Sequence, residues 1–179
     1  MMMDIDFYVK LGLEKLVEEE NKSPCTIKKV GGVLITGSGQ VVTGYSRPST
    51  RTDNITSDIY NNDALMDIVH AELDILTKII NHNSIGDDPI KVVDSKMFIT
   101  YSPCMNCAKN LVRLDISEYY FKYTHRETAI LFLLANNKKV FQVYDRSEST
   151  IECYAFHDDP VMLAKVEDFK QNYRRFLTQ

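Results

Sequence analysis

The sequence predicts an α/β domain of three layers, α/β/α, built around a mixed five-stranded sheet. Three observations point there. From residue 96 onward, apolar strand-like runs (96–101, 118–123, 139–144) alternate with helical patterns (103–115, 126–135), the order in which parallel strands and crossover helices are laid down. Gly37-Ser38-Gly39 separates two earlier runs, 29–36 and 40–45, as a hairpin that opens the sheet. The stretch Ile130-Leu131-Phe132-Leu133-Leu134 is apolar on every side, so it requires cover all round, as a helix inside a layered fold receives.

The 179-residue chain is 44% apolar, enough for one domain with a sizeable core. It is read as a single domain over 1–179, with a core at about 5–145 and a C-terminal loop and helix at 146–179. The net charge is −4, and the lysines and arginines are scattered, which argues against long DNA or RNA as a partner. A small anion held by two or three basic side chains fits. Met1 to Asp6 lacks the basic flank and apolar run of an export signal. No stretch approaches the roughly 18 apolar residues of a membrane span. Four cysteines in such a chain read as thiols or metal ligands. The expected location is the cytoplasm, with no membrane partner.

In order, residues 5–20 read as a helix capped by Asp4, with Ile5, Tyr8, Leu11, Leu16 and Val17 as its apolar positions. Cys25 after it reads as a small buried residue. The hairpin follows, and Gly31-Gly32 at its head admits a close backbone or ligand. Residues 46–63 are polar and turn-prone. A loop this long inside a domain tends to be functional, and Arg47 and Arg51 in it are either phosphate contacts or solvated surface residues. Residues 70–80 read as a helix burying Leu73, Leu76, Ile79 and Ile80. The tail at 145–159 reads as polar loop, before a last amphipathic helix at 160–177.

The chemistry is concentrated in two short motifs, His70-Ala71-Glu72 and Pro103-Cys104-Met105-Asn106-Cys107. One histidine and two cysteines are ligands zinc prefers, and three protein ligands leave a tetrahedral position for water. Glu72 is a carboxylate able to move protons beside it. His70 and Glu72 serve one site only if His70 stands at a helix start, because residues two apart otherwise face opposite ways. Cys104 and Cys107 share the first turn of another helix, where unpaired N–H groups favour thiolate. A redox dithiol would need neither His70 nor Glu72. A structural zinc site would need a fourth ligand from Cys25, Cys153, His82, His125 or His157.

The two motifs together resemble the signature of the zinc-dependent cytidine and deoxycytidylate deaminases, H-x-E with P-C-x-x-C. Val30-Gly31-Gly32-Val33-Leu34-Ile35, Thr43-Gly44-Tyr45, and Ser102-Pro103-Cys104 with Cys107-Ala108-Lys109 are similar to the deoxycytidylate (dCMP) branch, over roughly residues 5–145. The resemblance implies a cytidine deaminase-like fold and hydrolytic deamination of dCMP to dUMP and ammonia, supplying dUMP for thymidylate synthesis. It implies one Zn2+ per chain on His70, Cys104 and Cys107, with Glu72 as proton carrier. The backbone of Ala71 and Ser102 would read the base; Tyr45 and Ser46 at the family's pocket position, with Arg47 and Arg51 from the polar loop, are the further candidates for the substrate site. It further implies a homo-oligomer, often a hexamer, with dCTP and dTTP as effectors acting with Mg2+. Members occur in cells and in phages, so the host cytoplasm is the location for a phage-encoded chain.

The branch carries Gly-Tyr-Asn-Gly after its second strand, whereas Ser46 and Arg47 follow Gly44-Tyr45 here. That departure opens dCTP as a substrate beside dCMP. The extra ligands of a second zinc are missing. The other readings are a related deaminase acting on a nucleoside, free base or tRNA adenosine, and a zinc-stabilised binding module without activity.

Overall fold

The computed structural model describes residues 7–25, 28–49, 68–86, 88–147 and 150–177. Helix α1 (Phe7–Lys22) leads into strands β1 (Gly31–Ile35) and β2 (Val41–Tyr45). Two short strands, β3 (Arg47–Pro48) and β4 (Ile68–Val69), stand at the two ends of the long polar connection. Helix α2 (Ala71–Ile85), β5 (Ser95–Tyr101), α3 (Met105–Leu111), β6 (Ile116–Tyr123), α4 (Glu127–Ala135) and β7 (Lys139–Ser147) follow. The chain then adds β8 (Thr150–Ala155), a single 3-10 turn (Phe156–Asp158) and α5 (Pro160–Leu177).

The main sheet is mixed, in the order β2-β1-β5-β6-β7-β8. β5, β6 and β7 run parallel. β2 and β8 close the two ends antiparallel to their neighbours, and β1 is antiparallel to β5. The three-layer mixed architecture is the expected one, with six strands in the main sheet instead of five. The added strand is β8, which falls in the stretch expected to be loop. That stretch is polar, but Ile151, Cys153 and Ala155 alternate and pack on one side of the sheet, the period of a half-buried strand.

The alternation of strand side chains divides the core in two. On one face, Val33, Ile35, Phe98, Tyr120, Phe141 and Val143 pack with Val9, Leu13 and Leu16 of α1. Three of these aromatics stack across β5, β6 and β7: Phe98 on Tyr120 at 4.9 Å and Tyr120 on Phe141 at 4.6 Å between ring centroids. Such pairs add about 0.5–1.5 kcal/mol each beyond burial. On the other face, Leu34, Met97, Ile99, Tyr119, Phe121 and Val140 meet α2, α3, α4 and, through α4, α5. Helix α4 is covered as its all-apolar sequence requires, with Ala129, Ile130, Phe132, Leu133 and Leu134 buried.

Two helices bury different stripes from those expected. In α1 the buried positions are Val9, Gly12, Leu13, Leu16 and Glu19, while Tyr8 and Val17 are exposed. Glycine sets that face. A Cβ on Gly12 would lie 2.4 Å from the Phe98 ring, and one on Gly31 would lie 2.5 Å from the Glu20 backbone nitrogen. The glycine at the head of β1 therefore admits the backbone of α1. In α2, Ile75 and Ile79 are buried and Leu73 and Leu76 half-buried, whereas Ile80 is 64% exposed. Helix α3 is shorter than the expected 103–115, and Asp4 and Ile5 lie outside the described residues.

Candidate metal centre

The carboxyl ends of parallel strands, where chains pass into helices, are the usual place for ligand sites in α/β sheets. β5 delivers the chain through Ser102 and Pro103 to α3, so Cys104 becomes its N-cap. The Cys104 backbone is extended (φ −73°, ψ 165°) and its sulfur accepts the Cys107 N–H, at 3.4 Å. α2 arrives at the same place from the opposite side of β1. His70 is the residue just before its first turn, extended at φ −68° and ψ 150°, with β4 immediately ahead of it. The pairing of Arg47 with Val69 and Pro48 with Ile68 ties both ends of the long connection at this point. Arg51 and the rest of 50–67 lie outside the described residues.

α2 is seated by two glycines. A Cβ on Gly44 would stand 2.8 Å from the Ala71 carbonyl oxygen, and one on Gly32 3.4 Å from the Ala71 Cβ. Ala71 is fully buried, so the first turn of α2 lies directly on the hairpin.

His70 Nδ1 is 3.7 Å from the Cys104 sulfur and 3.4 Å from the Cys107 sulfur. The three ligand atoms lie within 4.8 Å of one another, and no fourth His, Cys, Asp or Glu joins the group among the described residues. These spacings fit zinc. Bonds of about 2.3 Å to sulfur and about 2.05 Å to nitrogen at a tetrahedral angle place S and N about 3.6 Å apart. With Nδ1 turned to the sulfurs, Nε2 is left to carry the ring proton.

The charges suit a cation. The Cys107 thiol, the His70 ring and the Cys107 N–H pull the Cys104 thiol down to about 3. The neighbouring Cys104 sulfur, then burial, push Cys107 up, the response of a second thiol beside a thiolate. His70 is raised, first by its bond to Cys104. Glu72, in the first turn of α2, is buried, and its burial pushes the carboxyl up. It lines the same cleft as His70 and Cys104.

That cleft has a volume of ≈ 650 Å³, within the range of small-molecule sites. Ala71, Ser102 and Ser46 line it, and Tyr45 does not. The Ser46 hydroxyl is engaged inward, 2.8 Å from the Ser23 hydroxyl and accepting the Val30 N–H at 3.2 Å. The Arg47 guanidinium donates twice to Asp74 Oδ1, at 3.1 and 2.8 Å. Lys78 approaches Oδ2 of the same carboxylate at 2.9 Å. Burial pulls Asp74 up, but the bonds from Lys78 and Arg47 outweigh it and hold the carboxyl below its usual range. Ser102 donates its N–H to the Tyr123 carbonyl at 2.8 Å. Its hydroxyl accepts the N–H groups of His125 at 2.8 Å and Arg126 at 3.4 Å.

Sequence reasoning missed three basic members of the cleft wall: Lys28, His125 and Arg126. The signal lay in position, since His125 and Arg126 follow the carboxyl end of β6, next to that of β5.

Residues 9–123 match the family model described as the cytidine and deoxycytidylate deaminase zinc-binding region. Among solved structures, the chain is similar to the dCMP deaminase of cyanophage S-TIM5 in complex with dCMP and dUMP. The TM-score is 0.61 at 20% identity, over 76% of this chain and 97% of that one. The apo form of the same cyanophage enzyme gives a TM-score of 0.59 at 17% identity, over 76% and 98%. At these identities the likeness establishes the fold. Among curated proteins, none matches this chain.

Proposed function

Because this chain belongs to the cytidine and deoxycytidylate deaminase zinc-binding family, we propose that it hydrolyses a free deoxycytidine nucleotide, dCMP, to dUMP and ammonia. The observation that carries this reading is the meeting of His70, Cys104 and Cys107 at zinc spacing beside the buried carboxyl of Glu72. The cyanophage neighbour, bound to dCMP and dUMP, supports a nucleotide as substrate.

In this reading His70 Nδ1 and the two cysteine sulfurs hold one Zn2+ per chain. The metal supplies Lewis-acid activation of water at neutral pH. Glu72, which is not a ligand, takes the proton of the attacking water and passes it to N3 of the cytosine as the bond to C4 forms. It then carries a proton to the exocyclic amine, which leaves as ammonia. Burial keeps that carboxyl away from bulk water, so each proton it holds is passed to the substrate.

The base is oriented by backbone. The N–H of Ala71 is one of the unpaired donors of a first helical turn, and we assign it to an acceptor of the pyrimidine edge. Ser102 has its N–H on Tyr123 and its hydroxyl on the loop after β6, which leaves its carbonyl for the amine. Ser46, with its hydroxyl drawn inward, contributes cleft wall near the sugar. On the same reading the working form is a homo-oligomer in the cytoplasm, tuned by dCTP and dTTP with Mg2+. Gel filtration and kinetics with each effector test that part.

The direct test is Glu72→Gln assayed for ammonia release from dCMP and dCTP. Zinc should stay near one per chain while turnover falls by about two to four orders of magnitude. Near-wild-type turnover in that variant overturns the reading.

A further inference from the structure

His70 begins α2 without acting as a helix cap. It is the N-cap residue, extended, and its side chain makes no capping bond, because the ring is turned to the sulfurs of Cys104 and Cys107. A first turn without a capping side chain is weakly held and tends to fray. This turn nevertheless has to keep His70 and Glu72 in register with Cys104 and Cys107. Ahead of it, β4 has two residues and pairs with the two residues of β3, a ladder too short to be stable by itself.

Arg47 meets both needs. Its backbone pairs with Val69, directly before His70. Its guanidinium donates to Asp74 Oδ1 from Nε at 3.1 Å and from Nη2 at 2.8 Å. Asp74 in turn donates its N–H to the His70 carbonyl at 3.0 Å. These contacts close a ring, from Arg47 to Val69, along the chain to His70, and back through Asp74. The carboxylate is fixed within it. Asp74 is 1% exposed, and a Cβ on Gly44 would stand 3.1 Å from its Oδ2. Lys78 reaches Oδ2 at 2.9 Å, but it belongs to α2, as Asp74 does, and its other bond goes to the Thr43 carbonyl at 2.7 Å. Of the two cations, Arg47 is the one that joins Asp74 to the strand pair ahead of His70.

We propose that Arg47 and Asp74 are positioning residues for His70: their ion pair fixes the backbone on both sides of the histidine, so that Nδ1 meets the two sulfurs at metal-binding distance. This rests on the reading of His70, Cys104 and Cys107 as the zinc ligands. Sequence alone left Arg47 as a phosphate contact or a solvated side chain. With two of its N–H donors on a buried carboxylate, it acts on the metal centre through the backbone of its neighbours. Arginine suits this task because its planar fork fixes direction as well as distance, whereas lysine would place one point charge there.

The test measures zinc affinity by competition with a chromophoric chelator, which requires no turnover, in the wild type, Arg47→Ala, Arg47→Lys and Lys78→Ala. Arg47→Ala should weaken zinc binding about 10- to 100-fold, the usual effect of losing a group that orients a metal ligand, and Arg47→Lys should recover part of it. Lys78→Ala takes a charge from the same carboxylate but leaves the ring closed, so its zinc affinity should stay near the wild-type value. With zinc saturating, kcat for dCMP should fall about tenfold or more in Arg47→Ala, while KM changes little. Unchanged zinc affinity in Arg47→Ala overturns the proposal, as does an equal loss in Lys78→Ala. A raised KM with zinc affinity and kcat unchanged overturns it in favour of direct contact with substrate. If Arg47→Ala does not fold, Arg47→Lys decides: weaker zinc binding with a wild-type melt of the metal-free protein upholds the proposal, and unchanged binding overturns it. A wild type that takes up no zinc overturns the metal reading and this proposal together, whereas unchanged affinity in the variants overturns the positioning alone.

Discussion

Gly44 in β2 lies directly against Ala71 in the first turn of α2, so closely that a Cβ at 44 would stand 2.8 Å from the Ala71 carbonyl oxygen. Ala71 separates His70 from Glu72. The absence of one methyl group therefore sets the height at which His70 and Glu72 reach the cleft.

Gly44→Ala should lift the first turn of α2. Overpacking against backbone costs about 1–3 kcal/mol of stability. A shift near 1 Å at the reacting groups lowers turnover about 100-fold. A thermal melt and a zinc assay alongside dCMP kinetics check this. Unchanged kinetics in a folded variant would mean the glycine is not needed for placement.

Removal of metal should abolish activity and loosen the junction of α2 and α3. Dialysis against a chelator is expected to lower Tm, and added Zn2+ should restore both activity and Tm. Cys104→Ala should leave the chain with well under one zinc per molecule by elemental analysis. Full zinc content in that variant would remove Cys104 from the ligand set.

Ser102→Ala takes away the hydroxyl that fastens the His125 and Arg126 N–H groups. The loop after β6 should loosen, raising KM for dCMP several-fold while kcat changes less. An unchanged KM and melting temperature in that variant would show that the hydroxyl does not hold this loop.

Asp74 gives a dependence on pH. Its carboxyl is held below the usual range despite burial, by Lys78 and Arg47. A depressed carboxyl contributes stability that is fully present above its unfolded value, about 3.9, and is lost as pH falls through the lower folded value. The difference in unfolding free energy between wild type and Asp74→Asn should be about 1–2 kcal/mol at pH 7, discounted because Arg47 and Lys78 are partly exposed. It should shrink below about pH 4. Denaturant titrations at pH 7 and pH 3 check it, and a gap that widens in acid would reverse the sign.

Much of the site was legible because it depends on local chemistry. His-x-Glu and Cys-x-x-Cys carry their meaning in residue type and spacing, and Pro103 marks the passage from strand to helix. That spacing already required His70 to stand at a helix start, which is where the backbone turns from extended to helical. Lys28 and His125 were not legible as a pair. They stand 97 positions apart, and neither carries a motif.

What the sequence by itself determined was the layered α/β plan and a set of residue types able to hold a metal, since apolar period, turn residues and ligand chemistry act over a few neighbours. The tertiary structure alone decided which helix faces are buried, because Gly12, Gly31 and Gly44 set how closely α1 and α2 approach the sheet. It alone made a strand of 150–155, whose short alternation is stabilised only by pairing with β7. It also paired Arg47 with Asp74 and brought Lys28 to His125. Electrostatic partners between distant segments are chosen by packing, and packing is a property of the folded chain.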